Sequence, residues 1–404
     1  MTSRRLLHHT VFLKRDLYLQ GSRQLKTQIL DELVRDFHKP RNSIKRLFQR
    51  AKLKPRPEEF DRRPGRPRVY LQEVICWLEK LYLAMDQMNS KSMREALPLW
   101  LAKYSDEQLT PDIRQRLSSM SHSTIDRLLK KFKTNLDRKK RSGTRRGHIR
   151  LYQDRVPLHR FDDKVTKPGS LQADTVAHCG HSMSGQFIWT LNITDVFTGW
   201  CEQRAVWAKH QDKVLEATTQ ILTELPFQVH SIHTDNGWEF LNEAFVSHFE
   251  HQRLRGLSLV TQTRSRAYFK NDHAHIEQKN STHVRRLLGY ERLDEPQLLE
   301  AINDIYKNEH RLFMNFFVPQ RKLIEKIRVG NRTIKRYDKP KTPFQRLIES
   351  KALSQPTTEK LKDLYDSLNP FELHQSLGQK LRNLEKQLNQ IKQSSDPSST
   401  PHAA

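Results

Sequence analysis

The sequence predicts an α/β protein, with a mixed sheet flanked by helices that follows all-α, helix-turn-helix modules. From about residue 168, β-prone and amphipathic helical segments come in the order three strands, helix, strand, helix, strand, helix. The first 150 of the 404 residues show helical periodicity instead, and they hold 36 Lys and Arg against 16 Asp and Glu. The remaining 254 residues hold 35 and 30. A strongly basic N-terminal part followed by a part with nearly balanced charge predicts a polyanionic partner, of which nucleic acid is the usual one.

Residues 1–50 are predicted to form a helix-turn-helix. Apolar side chains recur at helical spacing on both sides of the string HKPRN: Leu25, Ile29, Leu33, Phe37, Ile44, Leu47 and Phe48. The second helix carries four candidate DNA contacts: Arg41, Lys45, Arg46 and Arg50. A basic second helix favours DNA binding, because the second helix of this motif enters the major groove. An ordinary helical hairpin with a solvated basic face is the alternative.

Residues 51–70 are predicted to be a linker and residues 71–137 a second helical, DNA-binding-like module. The linker string RRPGRPR is either an AT-hook-like contact to the minor groove or a plain extended segment. The module begins with a helical stretch over 71–100, and Ser121 is the predicted cap of a later helix.

Residues 138–167 form a second, basic linker. Its string RKKRSGTRRGHIR (138–150) holds seven Lys and Arg and no acid. The run supplies six candidate phosphate contacts: Arg138, Lys139, Lys140, Arg141, Arg145 and Arg146. Phosphate contact is favoured over a solvated linker because the run joins the helical modules to the α/β body.

The string HTDNGWEF places the carboxylate of Asp235 at the abrupt end of a β-prone run. Asn236-Gly237 is a strong turn sequence. An acid at the tip of a strand is well placed to hold a ligand. The alternative is that Asp235 caps a helix that starts at Trp238.

Two further acids are candidates for the same site. Asp174 lies in LQADTV, the first predicted strand, and Glu277 lies in KNDHAHIEQKN on a predicted helix. Glu277 begins a stripe at +4, +7 and +11 with Ser281, Val284 and Leu288. The stripe predicts that Glu277 faces the sheet rather than water.

Three carboxylates at the ends of two strands and on one helix would make a hard oxygen-ligand site. Mg²⁺ suits such a site, because it binds a few carboxylates and completes its shell with water and phosphate oxygens. Two such ions, about 3.5–4 Å apart, can activate an attacking oxygen and stabilise a leaving oxygen at phosphorus. The acids alone repel a polyanion, so the metal ions are needed before nucleic acid can approach.

Residues 168–315 resemble the catalytic core of the integrase-core (DDE) transposases of bacterial insertion sequences. Asp174 in ADT, Asp235 in HTDNGWEF and Glu277 in KNDHAHIEQKN match the three acids of that family, with 41 residues between the second and the third. The resemblance implies a ribonuclease-H-like fold in which these acids are catalytic and bind Mg²⁺, for which Mn²⁺ can substitute. It also implies double-stranded DNA partners, namely element ends and target DNA, and a homo-multimer that cleaves DNA and joins its 3′ end to the target. A catalytically silent DNA-binding regulator derived from a transposase is the alternative.

Zinc chemistry is poorly supported by the sequence. His275-Ile276-Glu277 matches the H-x-E of zinc deaminases, but no cysteine follows Cys201 to complete that site. The string HCGH (178–181) fits a turn between strands better than a zinc site. His233 and His273 flank the acids, and packing or solvent exposure is favoured over a role in tuning them.

The C-terminal part is predicted to be a basic β-like segment (316–350) with a hairpin turn at Gly330-Asn331, then helices (351–392) and a disordered tail (393–404). Apolar residues follow heptad spacing in the last helix: Leu377, Leu381, Leu384, Leu388 and Ile391. A terminal packing helix is slightly favoured over a coiled coil. Three cysteines without a CxxC pair and the absence of a long apolar run or signal peptide predict a soluble, cytoplasmic protein with no membrane partner. The resemblance to the transposases of bacterial insertion sequences further implies a bacterial protein associated with the nucleoid.

Overall fold

The computed structural model describes residues 3–49, 70–105, 109–134, 155–158, 165–255, 260–266, 274–329 and 332–394. The chain divides into two compact units, residues 1–69 and residues 70–404. The 51–69 part of the first linker, Arg50, the candidate phosphate contacts at 138–146 and the tail from 395 lie outside the described residues.

Residues 3–49, the described part of the first unit, are helical. Its helices are α1 (Ser3–Leu13), α2 (Arg15–Gln20), α3 (Arg23–Phe37) and α4 (Arg41–Gln49). The predicted pair, α3 and α4, is confirmed, and His38 turns the chain between them with φ of 47°. The predicted stripes supply the core, in which Leu33, Ile44 and Phe48 are fully buried. Sequence periodicity did not reveal α1 and α2, which pack against this pair.

The second unit starts with four helices. They are α5 (Gln72–Ala84), α6 (Ser90–Ala102), α7 (Pro111–Ser118) and α8 (His122–Thr134). The predicted single stretch over 71–100 is two helices, because Asp86 and Gln87 take positive φ values of 51° and 52° between them. Asn89 then caps α6. The predicted cap of α8 is confirmed, since the Ser121 hydroxyl accepts a hydrogen bond from the Thr124 N–H at 3.2 Å.

A five-stranded mixed sheet follows. Its elements are β1 (Ser170–Ala177), β2 (Ile188–Asp195), β3 (Cys201–Trp207), α9 (Gln211–Glu224), β4 (Ser231–Thr234), α10 (Glu243–Leu254) and β5 (Thr261–Arg264). The strand order is β3-β2-β1-β4-β5, in which β1, β4 and β5 are parallel and β2 is antiparallel to both of its neighbours. The predicted order of strands and helices and the ribonuclease-H-like mixed sheet are therefore confirmed.

The remaining elements cover the sheet and end the chain. They are α11 (Ala274–Lys279), a π-helical turn (Asn280–Arg285), α12 (Arg286–Leu288), α13 (Leu298–Ile305), a second π-helical turn (Tyr306–His310), α14 (Arg311–Phe317), β6 (Leu323–Val329), β7 (Arg332–Tyr337), α15 (Pro343–Glu349), α16 (Gln355–Ser367) and α17 (Pro370–Ser394). Strands β6 and β7 form the predicted antiparallel pair, and its predicted turn, Gly330-Asn331, lies outside the described residues. The rest of the predicted β-like segment (316–350) is not all extended, because Thr342 caps α15 and residues 343–349 are helical. Leu377, Leu384 and Leu388 of α17 are buried against α13, so the heptad spacing reflects packing within the chain.

One hydrophobic core joins α5–α8 to the sheet and to α14. It includes Leu78 and Trp100 from the helices together with Leu171, Leu191 and Ile232 from the strands. The Trp100 indole N–H donates a hydrogen bond to the Phe317 carbonyl at 3.1 Å. Residues 70–134 are thus part of the same compact unit as the sheet, whereas the sequence predicted a separate module over 71–137.

Candidate active site

The register of two parallel strands brings Asp174 and Asp235 together. Ala173 of β1 is paired with Thr234 of β4, and the next residue along each strand is Asp174 and Asp235, respectively. Neighbouring strands lie about 4.8 Å apart. Two of the three predicted acids therefore lie side by side, Asp174 within β1 and Asp235 directly after the end of β4.

Asp174 is held in an environment that disfavours its charge. Burial is the main cause, followed by the negative charge of Asp235, and together they raise the pKa of Asp174 to about 7. The Thr175 N–H donates to Oδ1 at 2.7 Å, and the Asn280 side chain donates to Oδ2 at 2.7 Å. These hydrogen bonds oppose the rise in pKa but do not cancel it. A cation beside the pair would relieve the repulsion.

Asn280 connects Asp174 to a chain of buried amides. Its carbonyl oxygen accepts a hydrogen bond from Asn192 of β2 at 2.8 Å, and Asn192 in turn accepts one from Gln203 of β3 at 2.9 Å. Each group in this chain has its partner fixed, so the orientation of the Asn280 amide is fixed too. The amide therefore presents a donor to Asp174 and holds its carboxylate in place.

The helix that carries Glu277 is attached to β1 at two points. The Ile276 N–H donates a hydrogen bond to the Gln172 side chain at 3.1 Å, and Asn280 bonds to Asp174 one turn later. Glu277 precedes Asn280 by three residues, so the two are neighbours on the helix surface. The structure brings the helix of Glu277 to Asp174, but it leaves the Glu277 side chain exposed.

The prediction that Glu277 faces the sheet is wrong. The buried face consists of Ile276, Lys279, His283 and Val284, which are all less than one-tenth exposed. The +4, +7, +11 stripe assumed a regular α-helix, but residues Asn280–Arg285 form a π-helical turn that changes the register. Ile276, one position earlier, takes the sheet-facing place instead.

Asp235 closes a turn rather than capping a helix. Its Oδ1 accepts a hydrogen bond from the Gly237 N–H at 2.8 Å. The following helix, α10, begins at Glu243, and the Asn242 side chain caps it by accepting from the Phe245 N–H at 2.9 Å. The alternative that Asp235 caps a helix from Trp238 is therefore not borne out.

A third carboxylate, Glu239, lies beside the two aspartates and was not among the sequence candidates. It is 1% exposed, accepts a hydrogen bond from the Thr175 hydroxyl at 2.8 Å and pairs with the Lys209 ammonium at 2.6 Å. Burial is the main cause of its raised pKa, which Lys209 opposes and Asp235 reinforces. A Cβ atom on Gly237 would lie 2.6 Å from the Glu239 carboxyl carbon, so a larger residue there would displace the Glu239 carboxylate. The sequence offers no clear clue to this burial, because Phe240 on one side of Glu239 is buried while Trp238 on the other is 45% exposed.

The carboxylate pair fits a magnesium ion. Mg²⁺ is commonly held by one or two carboxylates, with water and substrate phosphate completing its shell. Asp174 and Asp235 supply that number, and the negative charge of Asp235 adds to the effect of burial in raising the pKa of Asp174. In the described part of the chain, no three His, Cys, Asp or Glu side chains are grouped so as to hold a metal ion.

The candidate histidines that lie in the described residues have packing roles. The string at 178–181 forms the turn after β1, and His178 is buried with its Nε2 2.8 Å from the Thr190 hydroxyl. His233 is 1% exposed within β4, and its Nδ1 is 3.0 Å from the Thr263 hydroxyl. His273 lies outside the described residues. Burial lowers the pKa of His275, next to Ile276, and the charges of Lys322, Lys279 and Lys326 lower it further.

Two solved structures resemble part of the chain. The catalytic core domain of BIV integrase is 14% identical with a TM-score of 0.29, over 45% of this chain and 94% of that chain. The HTLV-2 integrase catalytic core domain, in complex with magnesium in a dimeric form, is 18% identical with a TM-score of 0.27, over 38% of this chain and 91% of that chain.

None of the described helices has the length and apolarity to cross a bilayer.

Sequence comparisons address the family directly. Residues 165–268 match the model of the integrase core domain, a range that contains Asp174 and Asp235 and ends before Glu277. A protein of Sinorhizobium fredii (strain NBRC 101917 / NGR234), named as the uncharacterized protein y4rM, is 35% identical over 337 residues. The aligned region covers 81% of this chain and 91% of that protein. Together with the strand order, these matches confirm the resemblance seen in the sequence: the chain belongs to the integrase-core family.

Proposed function

We propose that this protein is a DNA transposase. It binds the ends of its own element, cleaves DNA, and joins the resulting 3′ end to target DNA. The observation that carries the proposal is the register of β1 and β4, which sets Asp174, within β1, beside Asp235, directly after the end of the parallel strand β4. Membership of the integrase-core family supports polynucleotidyl transfer as the chemistry of that pair.

Asp174 and Asp235 would hold the metal ions, with Glu277 as the third ligand. Bound Mg²⁺, for which Mn²⁺ can substitute, supplies Lewis-acid stabilisation of the charge that develops on oxygen during phosphoryl transfer. Asn280 orients the Asp174 carboxylate, and Gly237 fixes that of Asp235 through its N–H. The exposed position of Glu277, one turn before Asn280, leaves its carboxylate free to meet the substrate side of the site.

The first unit is proposed to recognise the element ends. Lys45 and Arg46 are exposed on α4, which is the second helix of the α3–α4 pair. Arg41 of the same helix forms an ion pair with Asp31, so it would reach phosphate only by exchanging that partner. Arg50 and the basic run from Arg138 to Arg146 are proposed to add phosphate contacts. We further propose that the protein acts as a homo-multimer on double-stranded DNA, in the bacterial cytoplasm at the nucleoid.

The proposal is tested with the full-length protein and the DNA that flanks its gene. In the presence of Mg²⁺ the protein should cut this DNA to leave a 3′-hydroxyl and then join that end to a second DNA. A matched DNA with scrambled flanks is the control for end recognition. Specific binding without metal-dependent cleavage would contradict the transposase and favour a catalytically silent regulator instead.

Glu239 is expected to act as a positioning residue for the aspartate pair. The Glu239→Gln substitution keeps an acceptor for Thr175 but removes a charge that raises the pKa of Asp174. The rate of cleavage should fall by about 10–100-fold, as is usual when a group that supports metal ligands is lost. The pKa of Asp174 should also fall, so the acidic limb of the pH–rate profile should move to lower pH.

The matched control for Glu239 is Glu216→Gln, an exposed acid of α9 whose ion pair with Lys213 is also exposed. Cleavage by this variant should follow the wild-type pH profile. A Glu239→Gln protein with the wild-type rate and profile would show that Glu239 only packs.

A further inference from the structure

A basic groove lies away from the carboxylates, between two helix N-termini and the β6–β7 hairpin. It is a cavity of about 400 Å³, bordered by α6, α8 and the hairpin with its flanking residues. Its cations are Lys91, Arg94, Arg321, Lys335 and Lys339. We use the name basic groove for this cavity and these five residues.

The two acids in the lining are already engaged. Glu95 lies 3.1 Å from the Lys339 ammonium and 3.8 Å from the Arg94 guanidinium. Asp338 forms an ion pair with Arg346, outside the groove, at 2.6 Å. Neither Lys91 nor Lys335 forms an ion pair with any residue that the structure describes. The basic groove thus keeps an uncompensated positive charge.

The helix ends at the basic groove add to this charge. Neither α6 nor α8 has an acidic residue in its first turn. The N-terminal end of a helix is itself positive, so Lys91 in the first turn of α6 adds to a positive charge that Asp126 of α8 offsets only in part, by accepting a hydrogen bond from the Ser90 hydroxyl at 2.7 Å. A phosphate group at this end would interact favourably with both the helix N-terminus and Lys91.

The β6–β7 hairpin also carries two positive charges that pair with no acid among the described residues. Lys326 and Lys335 are directly opposed across β6 and β7, and like charges in that position are destabilising. Both side chains are exposed.

We propose that the basic groove holds the sugar–phosphate backbone of double-stranded DNA. The inference rests on the proposed function and names the surface that positions the duplex outside the carboxylate site. A single free phosphate would not account for cations that continue from the basic groove to Lys326 of the hairpin, whereas a backbone with regularly spaced phosphates does. The contact carries no sequence information, because it is made to phosphates and not to base edges.

The test is the salt dependence of binding for the full-length protein, measured without divalent metal on a duplex that lacks the element ends. The double variant Lys91→Gln/Lys335→Gln should flatten the plot of log K against log salt by about two units, because each neutralised phosphate contributes roughly 0.9 on duplex DNA. The variant Lys91→Arg/Lys335→Arg should keep the wild-type slope.

The control Lys360→Gln/Lys362→Gln removes the same charge from exposed positions of α16, outside the basic groove, and should leave the slope unchanged. A groove variant with the slope of this control would overturn the proposal. Competition by inorganic phosphate would also overturn it. If low millimolar phosphate weakens DNA binding by the wild type as much as the substitutions do, and has no effect on the variant, then the basic groove is a site for a free anion. Because metal is absent, the result does not depend on cleavage. If the substitutions flatten the slope in a protein that does not cut DNA, the proposal for the basic groove stands and the proposal of transposase activity fails.

Discussion

Replacing Asp174 or Asp235 with Asn should remove metal-dependent strand cleavage while leaving DNA binding near the wild-type level. The expected fall in the cleavage rate is at least about 10²–10³-fold, the loss typical when one electrostatic contributor to a transition state is removed. Each substitution keeps the size of the side chain but takes away a charged ligand from the β1–β4 pair. The measurement is cleavage of end-containing DNA in Mg²⁺, with binding followed separately in metal-free buffer.

Asp363→Asn is the matched control, because Asp363 is exposed on α16 and is not a member of the site. It should cleave DNA at the wild-type rate. Substantial cleavage by Asp235→Asn with Mg²⁺ present would reject the assignment of the pair.

The same substitution at Asp174 should change how stability depends on pH. The pKa of Asp174 in the folded protein is about 7, above its ordinary value of 3.8. A raised pKa contributes stability that is fully present below 3.8 and is lost as the pH rises through about 7. In metal-free buffer, Asp174→Asn should therefore lose less of its Tm than the wild type over this interval, and Mg²⁺ should raise the Tm of the wild type only. The lost hydrogen bond from Asn280 acts at every pH, so the slope of Tm with pH is the informative quantity.

The sequence predicted the aspartate pair because strand patterns reveal where an acid lies on a strand. Asp235 follows a β-prone run and precedes a turn, and Asp174 lies within a strand, so sheet pairing was enough to bring them together. The orientation of Glu277 depended on a feature that hydrophobic spacing does not encode. A π-helical turn changes the register of a helix without changing the composition of the segment.

Glu239 and the helices α5–α8 show a second limit of sequence periodicity. The burial of Glu239 follows from Lys209 and Thr175, which come from other parts of the chain. The sequence predicted a helical stretch over 71–100, but a periodic stripe does not say what covers it. The partner of Trp100 is α14, more than two hundred residues later, and only the folded chain shows this contact.

The helix–sheet core makes Trp100→Ala the substitution with the largest expected effect on stability. Trp100 is fully buried and meets the rings of Phe313 and Phe371 edge-on, at 5.6 and 5.0 Å between centroids. Truncation should lower the free energy of unfolding of the second unit by about 3–5 kcal/mol, since it opens a large cavity. Trp100→Phe keeps a ring but leaves the Phe317 carbonyl without its donor, and should cost less, about 1–3 kcal/mol. Urea unfolding followed by circular dichroism measures both.

Trp238→Ala is the control, because Trp238 is 45% exposed and its loss should change the free energy of unfolding by no more than about 0.5 kcal/mol. The thiol of Cys201, buried in β3, reports whether the sheet opens together with the helices. If residues 70–134 and the sheet share one core, Trp100→Ala should speed the labelling of Cys201 in proportion to the lost stability, because the helices and β3 then open in one step. The helices of the Trp100→Ala protein could instead unfold while Cys201 is still labelled at the wild-type rate. That result would mean that residues 71–137 fold as a separate module, as their sequence alone predicts.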